Sequence, residues 1–304
     1  KAGVLVKPKW AWHASGVAKI RKLIVPALFG VSVTQINLLL DTLIASFLVT
    51  GSISSLYYAD RLLEFPLGLF GIGIATVILP SLSKLHTKNN NHEFSATIDW
   101  GLKVVSLFGW PALAGLVVLA QPIIMILLMR GEFEQQTVIM VSMALYAYLS
   151  GLVSFMFIKI LAPGYYARQD TKTPVKIGII AMSANMAFNL ALAPFYGYVG
   201  LAIATSLSAT LNAFLLYRGL KNKGIYQLSN ETLFFMIKII VSASVMAVVV
   251  YQLSPSFELW LDMDFFEQVT KLLMYIFIGM LSYFFSLALL GVRLNHFKIQ
   301  VETK

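Results

Sequence analysis

Eight stretches of this chain are apolar for about 20 residues each, and that pattern restricts the fold more than any other feature. Such a run is what an α-helix needs to cross roughly 30 Å of hydrocarbon. In lipid, a helix satisfies its backbone polar groups internally, which an open sheet cannot do. The runs lie at about 23–49, 53–80, 102–120, 137–161, 174–194, 198–218, 232–252 and 270–290. They predict an all-α polytopic membrane protein with eight transmembrane helices. Only 12% of the 304 residues are charged and 58% are apolar, against about a quarter charged in a soluble domain. The deficit runs along the whole chain, which excludes a soluble domain with a single anchor. There is no Cys, so disulfide frameworks, thiolate zinc sites and thiol nucleophiles are excluded too.

The net charge of +9 raises the question of nucleic acid, and its placement answers it. Segments between spans alternate in sidedness, so the Lys/Arg rule can be applied to each. Residues 1–22 hold Lys1, Lys7, Lys9, Lys19, Arg21 and Lys22 without an acid. Three later segments on that side carry Lys84, Lys88 and Lys103; Arg168, Lys172 and Lys176; and Arg218, Lys221 and Lys223, each set outnumbering its acids. The tail has Arg293, Lys298 and Lys304 against Glu302. On the opposite side, 50–52 and 195–197 are uncharged, and 253–269 holds Glu258, Asp262, Asp264 and Glu267 with no base. Both ends are therefore expected in the cytoplasm. The positive excess is an orientation device facing membrane lipid, and no nucleic acid partner is expected. Trp10 and Trp12 fit an interfacial lead-in, and 122–130 is expected to form a short helix at the outer interface.

An ionisable side chain at bilayer depth costs several kcal/mol, so each one needs a reason. Lys159, Lys238 and Lys271 lie near span ends and read as anchors that snorkel to the interface. Asp41, Asp60, Arg61 and Glu64 do not. Asp41 lies about eight residues, roughly 12 Å, inside the first span, and shares a face with Thr34 and Asn37. Asn185, Asn189 and Thr205 lie at similar depth on two later spans. One carboxylate, two amide oxygens and a hydroxyl suit a small hard cation such as Na⁺, or they simply bond one another between helices.

Asp60, Arg61 and Glu64 project to one side of the second span. Either they form a self-neutralising cluster, or Arg61 faces a wet cavity and binds an anion. Guanidinium suits phosphate or pyrophosphate because its planar fork donates two parallel hydrogen bonds. The span then continues through Pro66, Gly68, Gly71 and Gly73, which permit a hinge and close helix approach. Enzyme chemistry is poorly provisioned. His13, His86, His92 and His296 fall in flanks without metal-ligand spacing, no glycine loop for nucleotides is present, and no carboxylate cluster fits a prenyl transferase. Transport remains, with no cofactor expected beyond the Na⁺ ion.

The stretch Tyr57–Pro80, YYADRLLEFPLGLFGIGIATVILP, resembles the second-lobe signature of the MurJ (MviN) family of lipid II flippases in the MOP exporter superfamily. Tyr165–Lys176, YYARQDTKTPVK, resembles that family's cytoplasmic loop before the lobe's fifth helix. The resemblance implies two pseudo-symmetric six-helix lobes followed by two further helices, of which this chain holds the second lobe onward. The implied domains are a lead-in at 1–22, the six-helix lobe at 23–219, a linker at 220–231, a two-helix groove for a lipid tail at 232–290 and a cytoplasmic tail at 291–304. The absent N-terminal lobe would be a partner.

The resemblance further implies that Arg61, with Asp60 and Glu64, binds the pyrophosphate of lipid II, an undecaprenyl-linked disaccharide pentapeptide. It implies that Asp41, Asn185, Asn189, Thr205 and a carbonyl near Leu201 form a sodium site. Asn189 stands where that site has an Asp, which removes a charge. The expected function is flipping of lipid II across the bacterial inner membrane by alternating access. The alternatives are another MOP-type exporter, for O-antigen lipid carriers or drugs, and a non-transporting membrane scaffold.

Overall fold

A computed structural model describes residues 35–292 except 89, 130 and 132, together with 17 and 24. The interfacial lead-in, the start of the first span with Thr34, and nearly all of the tail lie outside the described residues. Among the described residues every regular element is helical. We label them α1 (35–46), α2 (Ser52–Pro66), α3 (Gly73–Thr87), α4 (Asn91–Leu128), α5 (Gln135–Leu149), α6 (Leu152–Tyr166), α7 (Lys172–Asn222), α8 (Asn230–Leu253), α9 (Phe257–Leu261) and α10 (Phe265–Leu289). Five helical stretches are long and apolar enough to cross a membrane, and the bent pair α5–α6 makes a sixth.

One of the five is double. α7 has 51 residues, about 76 Å if straight, more than twice a bilayer core. Gly197 breaks it at φ 55, ψ −137, a backbone conformation that favours glycine. Asn185 and Thr205 would stand about 30 Å apart on one continuous helix, yet they hydrogen-bond at 3.2 Å. The chain therefore folds back at Gly197 into two antiparallel limbs. A side chain on Gly200 would strike the backbone of Leu192, 2.6 Å away, which fixes how tightly the limbs meet. This matches the two runs expected at 174–194 and 198–218.

The run expected as one span at 137–161 is bent by 43° between α5 and α6. Gly151 marks the bend, and a Cβ there would lie 2.8 Å from Ser206 Cα. Ser206 Oγ donates to the carbonyls of Ala147 and Tyr148 at 2.8 and 3.2 Å. The polar groups released by the bend are thus met by α7. A second difference concerns 122–130. No separate helix forms there, because α4 runs unbroken through Pro111 and Pro122 to Leu128. Burial of Ile124, Met125 and Ile126 holds the end of α4 on the core against the backbone bond that Pro122 forfeits.

α8 and α10 pack on each other and on α4. Gly279 of α10 lets Val250 of α8 approach to 3.1 Å of where a Cβ would be. Tyr283 donates to the Leu107 carbonyl at 2.7 Å, and Lys103 pairs with Glu231 at 2.7 Å. The loop from α7 to α8 is pinned by Tyr226, whose hydroxyl donates to Asp99 at 2.6 Å. These contacts leave α1, α6 and α7 around the polar groups at Asn37, Asn185 and Thr205.

Candidate functional site

The polar residues picked out on three separate runs meet. Asn189 Nδ2 donates to Asp41 Oδ1 at 2.6 Å and to Asn185 Oδ1 at 3.0 Å. Asn37 Nδ2 donates to the other Asp41 oxygen at 3.2 Å. Asn185 Nδ2 donates to Thr205 Oγ1, which donates to the Leu201 carbonyl at 3.0 Å. Asn185 and Asn189 are each 1% exposed. Helical spacing of four aligns each pair on its own helix, and the Gly197 turn brings Thr205 and Leu201 against them. Asn37 belongs to the cluster as well, in line with its shared face with Asp41.

The donor set tests whether a cation fits. It offers a carboxylate, two amide oxygens, a hydroxyl and a backbone carbonyl, all hard oxygens. Asn189 Oδ1 is buried and accepts no hydrogen bond from the protein, an orphaned acceptor beside a carboxylate. One negative charge matches one monovalent ion. The set fits Na⁺ in kind, and its Asn amides now occupy by hydrogen bonding part of what an ion would take.

Arg61 and Glu64 form an ion pair within α2, and their side chains are 53% and 49% exposed. The Arg61 guanidinium also stacks 5.1 Å from the Tyr57 ring centroid. Asp60, one residue before Arg61, is only partly exposed. The guanidinium is thus oriented by two neighbours while most of its donors stay open. Five residues after Arg61 comes Pro66, which cannot donate to the helix, and residues Leu67–Ile72 take up π-helical geometry before α3 resumes. A π segment inside a helix is a frequent companion of function. Within it Gly71 is buried, and a Cβ there would come within 3.1 Å of Leu67 and 3.6 Å of Met156, whereas Gly68 and Gly73 face open space.

One feature was not legible as a site. A cavity of about 650 Å³ between α1, α6 and α7 is lined by Asn37, Asn185 and Thr205 at the cluster, and by Lys159, Ser208 and Asn212 beyond it. Lys159 turns inward where the sequence suggested an outward anchor. The signal that could have found it is the spacing of Thr205, Ser208 and Asn212 along one helix face. Among the described residues no group of three or more His, Asp or Glu side chains is arranged to hold a metal ion.

The family model described as lipid II flippase MurJ matches residues 1–271. The probable lipid II flippase MurJ of Haemophilus influenzae is 56% identical over 302 residues, covering 97% of this chain and 59% of that protein. The Vibrio cholerae counterpart is 55% identical over 302 residues, covering 99% and 58%. The lipid II flippase MurJ of Burkholderia cenocepacia is 42% identical over 258 residues, covering 85% and 50%. The chain spans roughly half to three fifths of these relatives. A solved lipid II flippase MurJ in an inward closed conformation superposes with TM-score 0.75 at 27% identity, covering 94% of this chain and 57% of that one. An outward-facing MATE-family multidrug transporter of the MOP superfamily gives TM-score 0.55 at 15% identity, covering 87% and 62%, a likeness of fold alone. With nine tenths of its length matched by the family model, the chain belongs to the lipid II flippase MurJ family.

Proposed function

We propose that this chain is the second lobe and the two C-terminal helices of a lipid II flippase, working with a first lobe across a shared cavity. It crosses the inner membrane eight times with both ends in the cytoplasm. The observation that carries this reading is Arg61. A half-exposed ion pair at bilayer depth cannot face lipid without a cost of several kcal/mol, so this side of α2 faces water or a polar ligand. The guanidinium is presented by Glu64 and Tyr57 and stands about two turns before a π-helical hinge. That is the placement needed to bind a diphosphate and couple its binding to bending of the helix. The prenyl tail lies along α8 and α10, whose outer faces are apolar. Lobe movement needs no covalent chemistry.

The Asp41 cluster holds Na⁺ in this reading and biases the lobe's conformation. Membrane potential is a second source of bias, because one charge moved through 100 mV supplies about 2.3 kcal/mol. The test is Arg61→Ala in the intact protein, assayed for lipid II translocation in vesicles and for membrane insertion. Loss of translocation with normal insertion is expected. Translocation at the wild-type rate would overturn the assignment.

A further inference from the structure

The cavity beside the Asp41 cluster contains one charge among the described residues that line it, the ammonium of Lys159. Lys159 makes no hydrogen bond or ion pair with the described residues. Its stem passes Gly71 in the hinge, where a Cβ would lie 3.7 Å from Lys159 Cγ. Three contacts set the register between α6 and the second limb of α7. Gly151 abuts Ser206, Ser154 Oγ meets Thr210 Oγ1 at 3.1 Å, and Tyr165 donates to the Leu216 carbonyl at 2.8 Å. The two helices therefore run parallel. Lys159 stands level with Asn212, about two turns or 11 Å beyond Thr205.

Leu201, Thr205, Ser208 and Asn212 recur at spacings of four, three and four, so they form one stripe along the limb. The stripe begins at the cluster and leads past Lys159 to Tyr166 and Thr171 at the α6–α7 loop, which also line the cavity. Its hydroxyl and amide groups can replace water around a moving ion. An ion drawn along it by Asp41 passes a fixed positive charge. The penalty scales with the ion's charge, so a factor opposing a monovalent ion is squared for a divalent one.

We propose that this cavity is the access route of a monovalent cation to the Asp41 cluster, and that Lys159 is the selectivity element that keeps divalent cations out. The proposal rests on the cation reading of that cluster. Lys159 acts through its field and coordinates nothing.

The experiment measures equilibrium binding of radioactive sodium to the intact protein in detergent, with and without Ca²⁺, for the wild type, Lys159→Gln, Lys159→Arg and Asp41→Asn. Lys159→Gln should bind Na⁺ about tenfold more tightly, the size of the repulsion at ~11 Å with an effective dielectric constant near 20. It should also become open to competition by Ca²⁺, and Lys159→Arg should keep both wild-type values. Unchanged affinity and unchanged Ca²⁺ exclusion in Lys159→Gln overturn the role of Lys159, while loss of binding in Asp41→Asn leaves the cation site standing. Absence of saturable Na⁺ binding in the wild type overturns the cation reading and this route with it.

A second measurement does not depend on binding. In a background without other cysteines, Ser208→Cys and Asn212→Cys should react from water, and faster with the anionic thiol reagent MTSES than with the cationic MTSET. Adding Lys159→Gln should remove that preference. A preference unaffected by Lys159→Gln, or cysteines that no aqueous reagent reaches, overturns the proposal.

Discussion

Asn189 donates a 2.6 Å hydrogen bond to the Asp41 carboxylate across 148 positions of sequence. The same nitrogen serves Asn185, so one amide fastens α1 to the α7 hairpin. A carboxylate inside an apolar run needs such a partner, since an unpaired one would be among the most costly groups in the protein. The cluster can therefore hold together without an ion. That separates its structural part from its binding part and lets the two be measured apart.

Asn189→Asp tests the separation. It replaces the donor with a second carboxylate facing Asp41, so the bond is lost and like charges adjoin. Without Na⁺ the variant should lose about 1–3 kcal/mol, the cost of a buried polar group left unpaired. Na⁺ should restore more stability than it gives the wild type, because two carboxylates bind it. Thermal unfolding in sodium and in choline buffer gives the comparison. An equal sodium effect in both proteins would remove residue 189 from the proposed ion site.

Glu64→Gln separates holding Arg61 from folding the helix. The pair is half exposed on both sides, and exposed pairs contribute about 0–1 kcal/mol, so the melting temperature should hardly move. The guanidinium loses the partner that orients it, and translocation of lipid II should fall several-fold. A large drop in stability with unchanged flux per folded molecule would show that the pair serves only the fold.

The Asp41, Asn185, Asn189 and Thr205 set was legible because each polar residue interrupts an apolar run at similar depth, and spacings of four predict shared faces. The Gly197 turn was legible for the same reason, two runs separated by an uncharged break. The bend between α5 and α6 was not, because the groups that stabilise it come from Ser206, 55 residues after Gly151. Lys159 was not legible either. Its distance from the span end fits an anchor, and only the packing of α6 on α7 shows the cavity it enters. The end of α4 differs from the short interfacial helix expected at 122–130 because that run is too short to span by itself, whereas burial of Ile124, Met125 and Ile126 carries α4 through Pro122.

Acid should loosen the loop between α6 and α7. Asp170 accepts from the Thr173 amide and hydroxyl at 3.0 and 2.7 Å and from Lys223 Nζ at 2.6 Å. Burial pushes its carboxyl up, but these bonds and the Lys223 charge outweigh it and leave it below its ordinary value. A carboxyl lowered in the folded state adds stability above its unfolded pKa and loses it as pH falls through the folded value. Wild type should therefore exceed Asp170→Asn in stability by a constant margin near neutral pH. The margin should narrow below about pH 4, where a free Asp titrates. Parallel melting curves from pH 7 to pH 3 would exclude this contribution.

The π segment allows a final prediction in which stability and activity move in opposite directions. A side chain at Gly68 meets nothing within 4 Å, so Gly68→Ala introduces no clash. Replacing glycine in a helix should then stabilise the protein by about 0.5–1 kcal/mol. The same loss of backbone freedom stiffens the stretch between Arg61 and α3, so lipid II translocation should slow while the melting temperature rises. Gly71→Ala is the control, because its Cβ would sit 3.1 Å from Leu67 and 3.6 Å from Met156 and should lower both stability and rate. A Gly68→Ala protein that is more stable and flips at the wild-type rate would show that bending at this glycine is not part of the transport cycle.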